Sequence, residues 1–148
     1  MAKVRLLNYD EADKKAKEVF KDIMATRNTR YVNNIWRALA NYPPLLSRFW
    51  NQMKEVMIKP SRIDPLTKEM VYLAVSITNN CDYCINSHIA AARSKGMDDE
   101  MLCELNEIVG LANQGNRLTQ GLQVDVDDIL KQDYPETKWI CEEKSGSD

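Results

Sequence analysis

Two cysteines and a histidine lie close together in the middle of the chain, at a spacing that suits thiol chemistry. Cys81 and Cys84 are three residues apart, and His88 follows four residues later. If this segment is helical, both thiols and the imidazole share one face. Asn79 and Asn80 are suitable N-caps, so both cysteines would lie in the first turn, where the helix dipole favours a thiolate. His88, the only histidine in the chain, is then placed to exchange a proton with Cys84.

A second helix brings a carboxylate to the same place. Residues 65–77 are predicted to form an apolar helix that ends near Asn79, where we expect the chain to reverse. Glu69 lies as far before Asn79 as Ile89 lies after it. At a rise of about 1.5 Å per residue, Glu69 therefore comes level with His88 and about one turn from Cys84. The hairpin predicts a carboxylate, an imidazole and two thiols around one point.

The composition is that of an ordinary globular protein. With 148 residues and 44% hydrophobic residues, a single domain is expected. The net charge of -2, with both signs interspersed, gives no indication of binding to nucleic acid or to an anionic membrane. No apolar run approaches a transmembrane span, and the N-terminus lacks the apolar stretch of a signal peptide. We therefore expect a cytoplasmic protein, in which a Cys-x-x-Cys pair indicates redox or metal chemistry.

Apolar residues recur at helical spacing along the chain, and no convincing strand pattern is present. Asp10, Asp64 and Asp98 are predicted N-caps, Gly96 is the predicted C′ residue just after the Cys81 helix, and Gly110 is expected to break or kink the last helix. The predicted organisation is one domain over residues 1–148. Its core covers about residues 10–125, and a polar C-terminal tail covers residues 126–148.

The remaining cysteines and the large aromatic residues have structural interpretations. Cys103 lies in a helical pattern and is predicted to be a small core residue, and Cys141 lies in the polar tail without an assigned role. Trp36, Phe49 and Trp50 are interpreted as core or subunit-interface residues, with the lining of a substrate pocket as the alternative.

The motif Glu69, eleven residues, Cys81-x-x-Cys84, three residues, His88 resembles that of the AhpD-like alkylhydroperoxidase branch of the carboxymuconolactone decarboxylase superfamily. The Pro43-Pro44 pair before an aromatic helix is also similar to that family, and the resemblance covers about residues 10–125. It implies an all-α bundle of about six to seven helices around a central antiparallel helix pair. It also implies homo-oligomers, as trimers or hexamers.

The resemblance implies a thiol-dependent peroxidase that reduces alkyl hydroperoxides as an antioxidant oxidoreductase without a cofactor. By matching position, Cys84 attacks the peroxide, Cys81 resolves the product, and Glu69 and His88 belong to the proton relay. The characterised enzyme has a further histidine between its two cysteines, where this chain has Tyr83. The implied reductant is a dithiol such as lipoamide or a thioredoxin-like protein, with a peroxiredoxin as a further partner. Decarboxylases of the superfamily generally lack the cysteine pair, which argues against decarboxylation.

Several alternatives use the same residues. The pair could serve a thiol-disulfide reductase or a redox sensor, or the chain could be a helical scaffold with inert thiols. Cys81, Cys84, His88 and Glu69 also form an acceptable zinc ligand set. His88 could instead be a structural histidine that is hydrogen-bonded to Glu69. An ion pair with Arg62 or Lys68 is a further structural interpretation of Glu69.

Overall fold

A computed structural model describes residues 2–131, and the described chain is built from helices without strands. The expected all-α class is therefore confirmed. The part of the predicted polar tail that follows residue 131 lies outside the described residues, and so does Cys141. The α-helices are α1 (Lys14–Thr26), α2 (Asn34–Leu39), α3 (Pro43–Met53), α4 (Pro65–Thr78), α5 (Asp82–Arg93) and α6 (Asp99–Gly121). A π-helical turn, Lys54–Ile58, continues α3, and a 3₁₀ turn, Asp128–Lys131, follows α6.

The described chain divides after Asn106 into two compact units, and α6 passes from the first unit into the second. The first unit contains α1 to α5 and the whole Glu69–His88 region. The expected break at Gly110 is wrong, because α6 runs without interruption to Gly121. An isolated glycine costs a helix only about 1 kcal/mol relative to alanine, which the residues on either side can outweigh. The assignment of residues 1–148 to one domain stays a prediction.

Helices α1, α2 and α3 share an aromatic core. The rings of Trp36 and Trp50 meet edge to face with their centroids 5.3 Å apart, and Phe49 lies 5.5 Å from Trp36. The Trp50 indole N–H donates a 2.8 Å hydrogen bond to Asp22 on α1, which satisfies this buried polar group. The fully buried aliphatic and aromatic neighbours are Ala16, Phe20, Ile23 and Leu46. This core lies beside the α4–α5 hairpin.

Helices α4 and α5 form the central antiparallel pair, as predicted. Pro65 occupies the first position of α4, and the Asp64 carboxylate accepts hydrogen bonds from two backbone N–H groups of the first turn. After α4 ends, Asn80 adopts a left-handed conformation with φ of 53°, which asparagine tolerates better than most residues. This residue reverses the chain direction and lets α5 return along α4.

The predicted helix ends are partly correct. Asp98 accepts a hydrogen bond from the first turn of α6, and Asp64 caps α4 as predicted. Asp10 does not cap α1, because it lies in a turn, and Asp13 has the extended backbone of an N-cap. Gly96 follows α5 with φ of 102° but lies one position later than predicted, because the helix ends at Arg93. None of the described helices has the length and apolar character needed to cross a membrane.

Candidate active site

The thiol pair begins α5. Cys81 is the N-cap residue, and its sulfur accepts the backbone N–H of Cys84 at 3.4 Å. The expected capping by Asn79 or Asn80 is wrong, because both are used in the reversal between α4 and α5. Both cysteines are free and partly buried. A sulfur that takes the place of a capping oxygen lies at the positive end of the helix dipole, where negative charge is stabilised.

The two thiols differ in acidity. The hydrogen bond from the Cys84 thiol, assisted by the Cys84 backbone N–H, lowers the pKa of Cys81 below its usual value. Burial, followed by the sharing of the same proton with Cys81, raises the pKa of Cys84 to about 11. The first negative charge of the pair therefore lies on Cys81. Loss of a proton from Cys84 needs a base or a rearrangement of the pair.

Glu69 and His88 meet where the hairpin geometry predicted. Glu69 Oε2 lies 2.6 Å from His88 Nδ1, and both side chains are largely buried. An ionised carboxylate only accepts hydrogen bonds, so Nδ1 carries the hydrogen and Nε2 of a neutral His88 is free to accept one. The Tyr72 ring stacks on the imidazole at 3.8 Å and fixes its plane. Tyr72 was missed, although it lies one turn after Glu69 on α4 and therefore on the same face.

Lys95 completes this group and was not predicted. Its ammonium donates to Glu69 Oε1 at 3.0 Å, so each carboxylate oxygen has a different partner. Burial alone would raise the pKa of Glu69, but the hydrogen bonds from His88 and Lys95 outweigh it and hold the pKa below its usual value. The expected ion pair with Lys68 does not form, because Lys68 donates to the Lys59 carbonyl. Lys95 lies after the end of α5 at Arg93, so helical spacing from His88 does not predict its position.

A cavity of about 760 Å³ in the first unit contains the thiols, Glu69, Tyr72 and His88 in its lining. Part of its lining is apolar and consists of Trp36, Phe49, Met53, Met57 and Ile58. The volume falls in the range of ordinary small-molecule sites. Trp36 and Phe49 line the cavity and also pack in the aromatic core, so both interpretations of them agree with the structure, whereas Trp50 belongs to the core alone.

Tyr83 borders the cavity, but its hydroxyl group is used in a hydrogen bond to the backbone of another helix. Its hydroxyl oxygen accepts the backbone N–H of Ile35 at 3.2 Å, and this bond joins α5 to the start of α2.

The interpretation of Cys103 as a core residue is wrong. Cys103 is exposed, because it lies about 200° around α6 from the buried Leu105.

The geometry argues against direct proton transfer between His88 and a thiol, and against a zinc site. Within residues 2–131, no hydrogen bond joins His88 to either thiol, so a proton transfer between them needs a bridging water or a small side-chain movement. In the same part of the chain, no three His, Cys, Asp or Glu side chains are grouped so that they could hold a metal ion. Glu69 is directed at His88 and Lys95, so the geometry does not favour the zinc interpretation.

Removing the Lys95 ammonium should change how stability depends on pH. Because the folded pKa of Glu69 lies below its ordinary value of 4.5, the ionised carboxylate stabilises the fold above that pH and the stabilisation is lost as pH falls through the folded pKa. Lys95→Met removes a contact that lowers this pKa. We therefore expect Lys95→Met to be less stable than the parent near neutral pH but to lose less stability on acidification, so that the difference between the two proteins shrinks in thermal unfolding from ~pH 7 to ~pH 3. Lys68→Met is the control. If both variants lose thermal stability with the same dependence on pH, the Lys95–Glu69 ion pair is contradicted.

Comparisons with known proteins agree with this architecture. Residues 44–127 match the model of the carboxymuconolactone decarboxylase family. The crystal structure of the alkylhydroperoxidase AhpD core from Rhodospirillum rubrum is 51% identical over 90% of this chain and 99% of that one, with a TM-score of 0.87. No curated protein sequence is significantly similar to the chain. The chain therefore belongs to the carboxymuconolactone decarboxylase family, of which it is an AhpD-like member.

Proposed function

We propose that the protein is a thiol-dependent peroxidase that reduces organic hydroperoxides with the Cys81–Cys84 pair. The observation that carries this proposal is a thiol pair of unequal acidity at a helix start, inside a cavity with an apolar wall. The similarity to a protein named alkylhydroperoxidase supports the same activity. The apolar part of the lining suits an alkyl substituent, and the two adjacent thiols supply the two electrons that peroxide reduction requires.

The proposed reaction moves two electrons from the thiol pair to the O–O bond. The Cys84 thiolate attacks one peroxide oxygen, an S–O bond forms, the O–O bond breaks, and the alkoxide leaves and takes up a proton to become the alcohol. The Cys81 sulfur then attacks the Cys84 sulfenic acid and releases hydroxide, which is protonated to water. A disulfide remains. A dithiol or thioredoxin-like reductant restores both thiols and becomes a disulfide itself.

His88 is the proposed acceptor of the Cys84 proton. The Cys84 pKa of about 11 makes a base necessary, and Nε2 is the ring nitrogen that Glu69 leaves free. Glu69 then stabilises the imidazolium, which returns the proton to the departing alkoxide. Since no direct bond joins His88 to Cys84, a bridging water is part of this proposal.

The low pKa of Cys81 favours a second candidate function, that of a thiol-disulfide reductase or redox sensor. In Cys-x-x-Cys oxidoreductases, a low-pKa thiolate at a helix start attacks disulfides. The same property supports the opposite order of attack on peroxide, with Cys81 as the first nucleophile. A protein that reduces a model disulfide but whose thiols survive peroxide would be a reductase.

The proposed partners follow the same reasoning. Free thiols at Cys81 and Cys84 are appropriate to a reducing compartment such as the cytoplasm, where a small dithiol, a thioredoxin-like protein or a peroxiredoxin could act with the enzyme. We also propose a homo-oligomer, either a trimer or a hexamer. Val71 and Val75 on α4 support it, because they are 58% and 55% exposed on a helix that was expected to be covered.

Oxidation by a hydroperoxide should produce a Cys81–Cys84 disulfide. Because the two cysteines are three residues apart and the Cys81 sulfur lies 3.4 Å from the Cys84 backbone nitrogen, the sulfenic acid is expected to be replaced by the disulfide without large backbone movement. Peptide mapping by mass spectrometry after treatment with one equivalent of cumene hydroperoxide would detect it. Cys103→Ser is the control and should give the same disulfide at the same rate. If the parent keeps all its free thiols under these conditions, the peroxidase proposal is wrong.

A further inference from the structure

Arg27 is held in a fixed position at the end of α1. Its guanidinium carbon lies 5.6 Å from the centroid of the Trp36 ring and 5.5 Å from that of Trp50. One N–H group, on Nη1, donates a 3.0 Å hydrogen bond to the Asn33 side chain. Stacking on aromatic faces and one hydrogen bond orient the planar group without using most of its five N–H donors. The remaining donors are available to another molecule.

This cation lines the cavity that contains the thiols. Among residues 2–131, no carboxylate lies within ion-pair distance of Arg27. Glu69 is the carboxylate that influences it electrostatically, but both Glu69 oxygens are bonded to His88 and Lys95. The lining therefore contains two permanent cations, Arg27 and Lys95, and one carboxylate. A Cys81 thiolate brings a second negative charge to this lining, but of the two cations Arg27 is the one without a direct ion-pair partner among residues 2–131.

The apolar lining beside Arg27 indicates what kind of molecule should carry the anionic group that pairs with it. Trp36 and Phe49 come from the aromatic core, and Met53, Met57 and Ile58 continue the apolar surface. Met57 and Ile58 belong to the π-helical turn, and methionine side chains adapt readily to different apolar shapes. An alkyl chain fits this surface, whereas a strongly polar anion would leave it uncovered.

We propose that Arg27 forms a subsite for the carboxylate of a chain-bearing apolar ligand whose other end reaches the thiols. A carboxylate gives Arg27 the ion-pair partner that residues 2–131 do not supply and matches the guanidinium in a two-bond arrangement. Resting on the proposed function for its reactive end, this inference narrows the substrate to hydroperoxides of alkyl carboxylic acids. A carboxylate-bearing dithiol reductant has the same recognition chemistry, and the experiment below separates the two.

Binding of an unreactive probe tests the subsite independently of any reaction. Decanoate and decanol would be titrated into the reduced full chain, with binding followed by calorimetry. We expect the parent to prefer decanoate over decanol and Arg27→Gln to bind decanoate about tenfold more weakly or worse. Arg27→Lys should restore only part of the affinity, because lysine lacks the planar fork. Arg30→Gln, at an exposed arginine outside the cavity, is the matched control and should behave as the parent.

Rates identify which ligand provides the carboxylate. A hydroperoxy fatty acid and its methyl ester would be compared in the oxidation step, and dihydrolipoate and dihydrolipoamide in the reduction step. A preference for the acid over its ester that disappears in Arg27→Gln supports the peroxide assignment. A preference confined to dihydrolipoate would overturn that assignment and give the carboxylate to the reductant.

The subsite and the proposed function can fail separately. Equal binding of decanoate by the parent and by both Arg27 variants would contradict the carboxylate subsite, even if the protein reduces hydroperoxides. Decanoate binding that depends on Arg27, in a protein whose thiols ignore peroxide, would keep the subsite and remove the peroxidase. Circular dichroism of Arg27→Gln and Arg27→Lys would show that the Trp36 and Trp50 core remains folded in both.

Discussion

Replacing Cys84 with serine should reduce single-turnover hydroperoxide consumption by roughly three orders of magnitude or more, as expected for loss of a nucleophile. A serine hydroxyl has no accessible anion near neutral pH and cannot form the S–O bond. Replacing Cys81 with serine should leave the first attack in place but prevent disulfide formation. In that variant we expect a sulfenic acid to persist on Cys84, because the thiol that would condense with it has been removed.

Trapping with dimedone, followed by mass spectrometry, would locate the sulfenic acid. Both variants should carry Cys103→Ser and Cys141→Ser as well, so that the other two cysteines of the chain give no background. An adduct on Cys81 in Cys84→Ser, with no adduct on Cys84 in Cys81→Ser, would reverse the proposed order of attack. That result would mean that the thiol with the lowered pKa is also the peroxide nucleophile.

Changing Glu69 should affect both stability and turnover. Glu69→Ala leaves the His88 and Lys95 donors without their shared acceptor. We expect a loss of about 2–3 kcal/mol, below the ~3–5 kcal/mol of fully buried pairs, because the Lys95 side chain is 30% exposed and partly screened. Glu69→Gln keeps the volume and one acceptor oxygen but removes the charge. It should unfold closer to the parent, with peroxide reduction slowed roughly 10²-fold or more by loss of the imidazolium partner.

The comparison between the two Glu69 variants separates structure from chemistry. Chemical denaturation would measure the free energy of unfolding, and stopped-flow oxidation would measure the rate. Glu104→Gln, at an exposed position on α6, controls for the removal of a negative charge. A Glu69→Gln protein that oxidises at the parent's rate would make Glu69 a structural residue and take it out of the relay.

The contact between Glu69 and His88 could be predicted because it depends on backbone arithmetic. Two antiparallel helices joined by a short reversal bring residues at equal distances from the turn to the same level, whatever surrounds them. Capping at Asp64 and Asp98 was predictable for a similar reason, since it depends on a few adjacent residues. These local rules also predicted the all-α class.

The remaining features depend on contacts between distant segments. Arg27 enters the cavity from the end of α1, and no spacing relates it to Cys84 in sequence. Cys103 and Gly110 were misjudged because residue type was given more weight than position around α6. Lys95 lies beyond the regular end of α5, so its pairing with Glu69 depends on how the chain leaves the helix.

The unequal acidity of Cys81 and Cys84 also affects how the reduction potential of their disulfide depends on pH. Between the pKa of Cys81 and about 11, the reduced pair holds one thiol and one thiolate, so reduction takes up two electrons and one proton. In that range the potential falls by about 30 mV per pH unit, compared with about 59 mV when two protons are taken up. Because the pKa of Cys81 is lowered, the shallower dependence extends further toward neutral pH. Within that range the reduction potential of this centre therefore changes less steeply with pH than that of a pair whose thiols are both protonated.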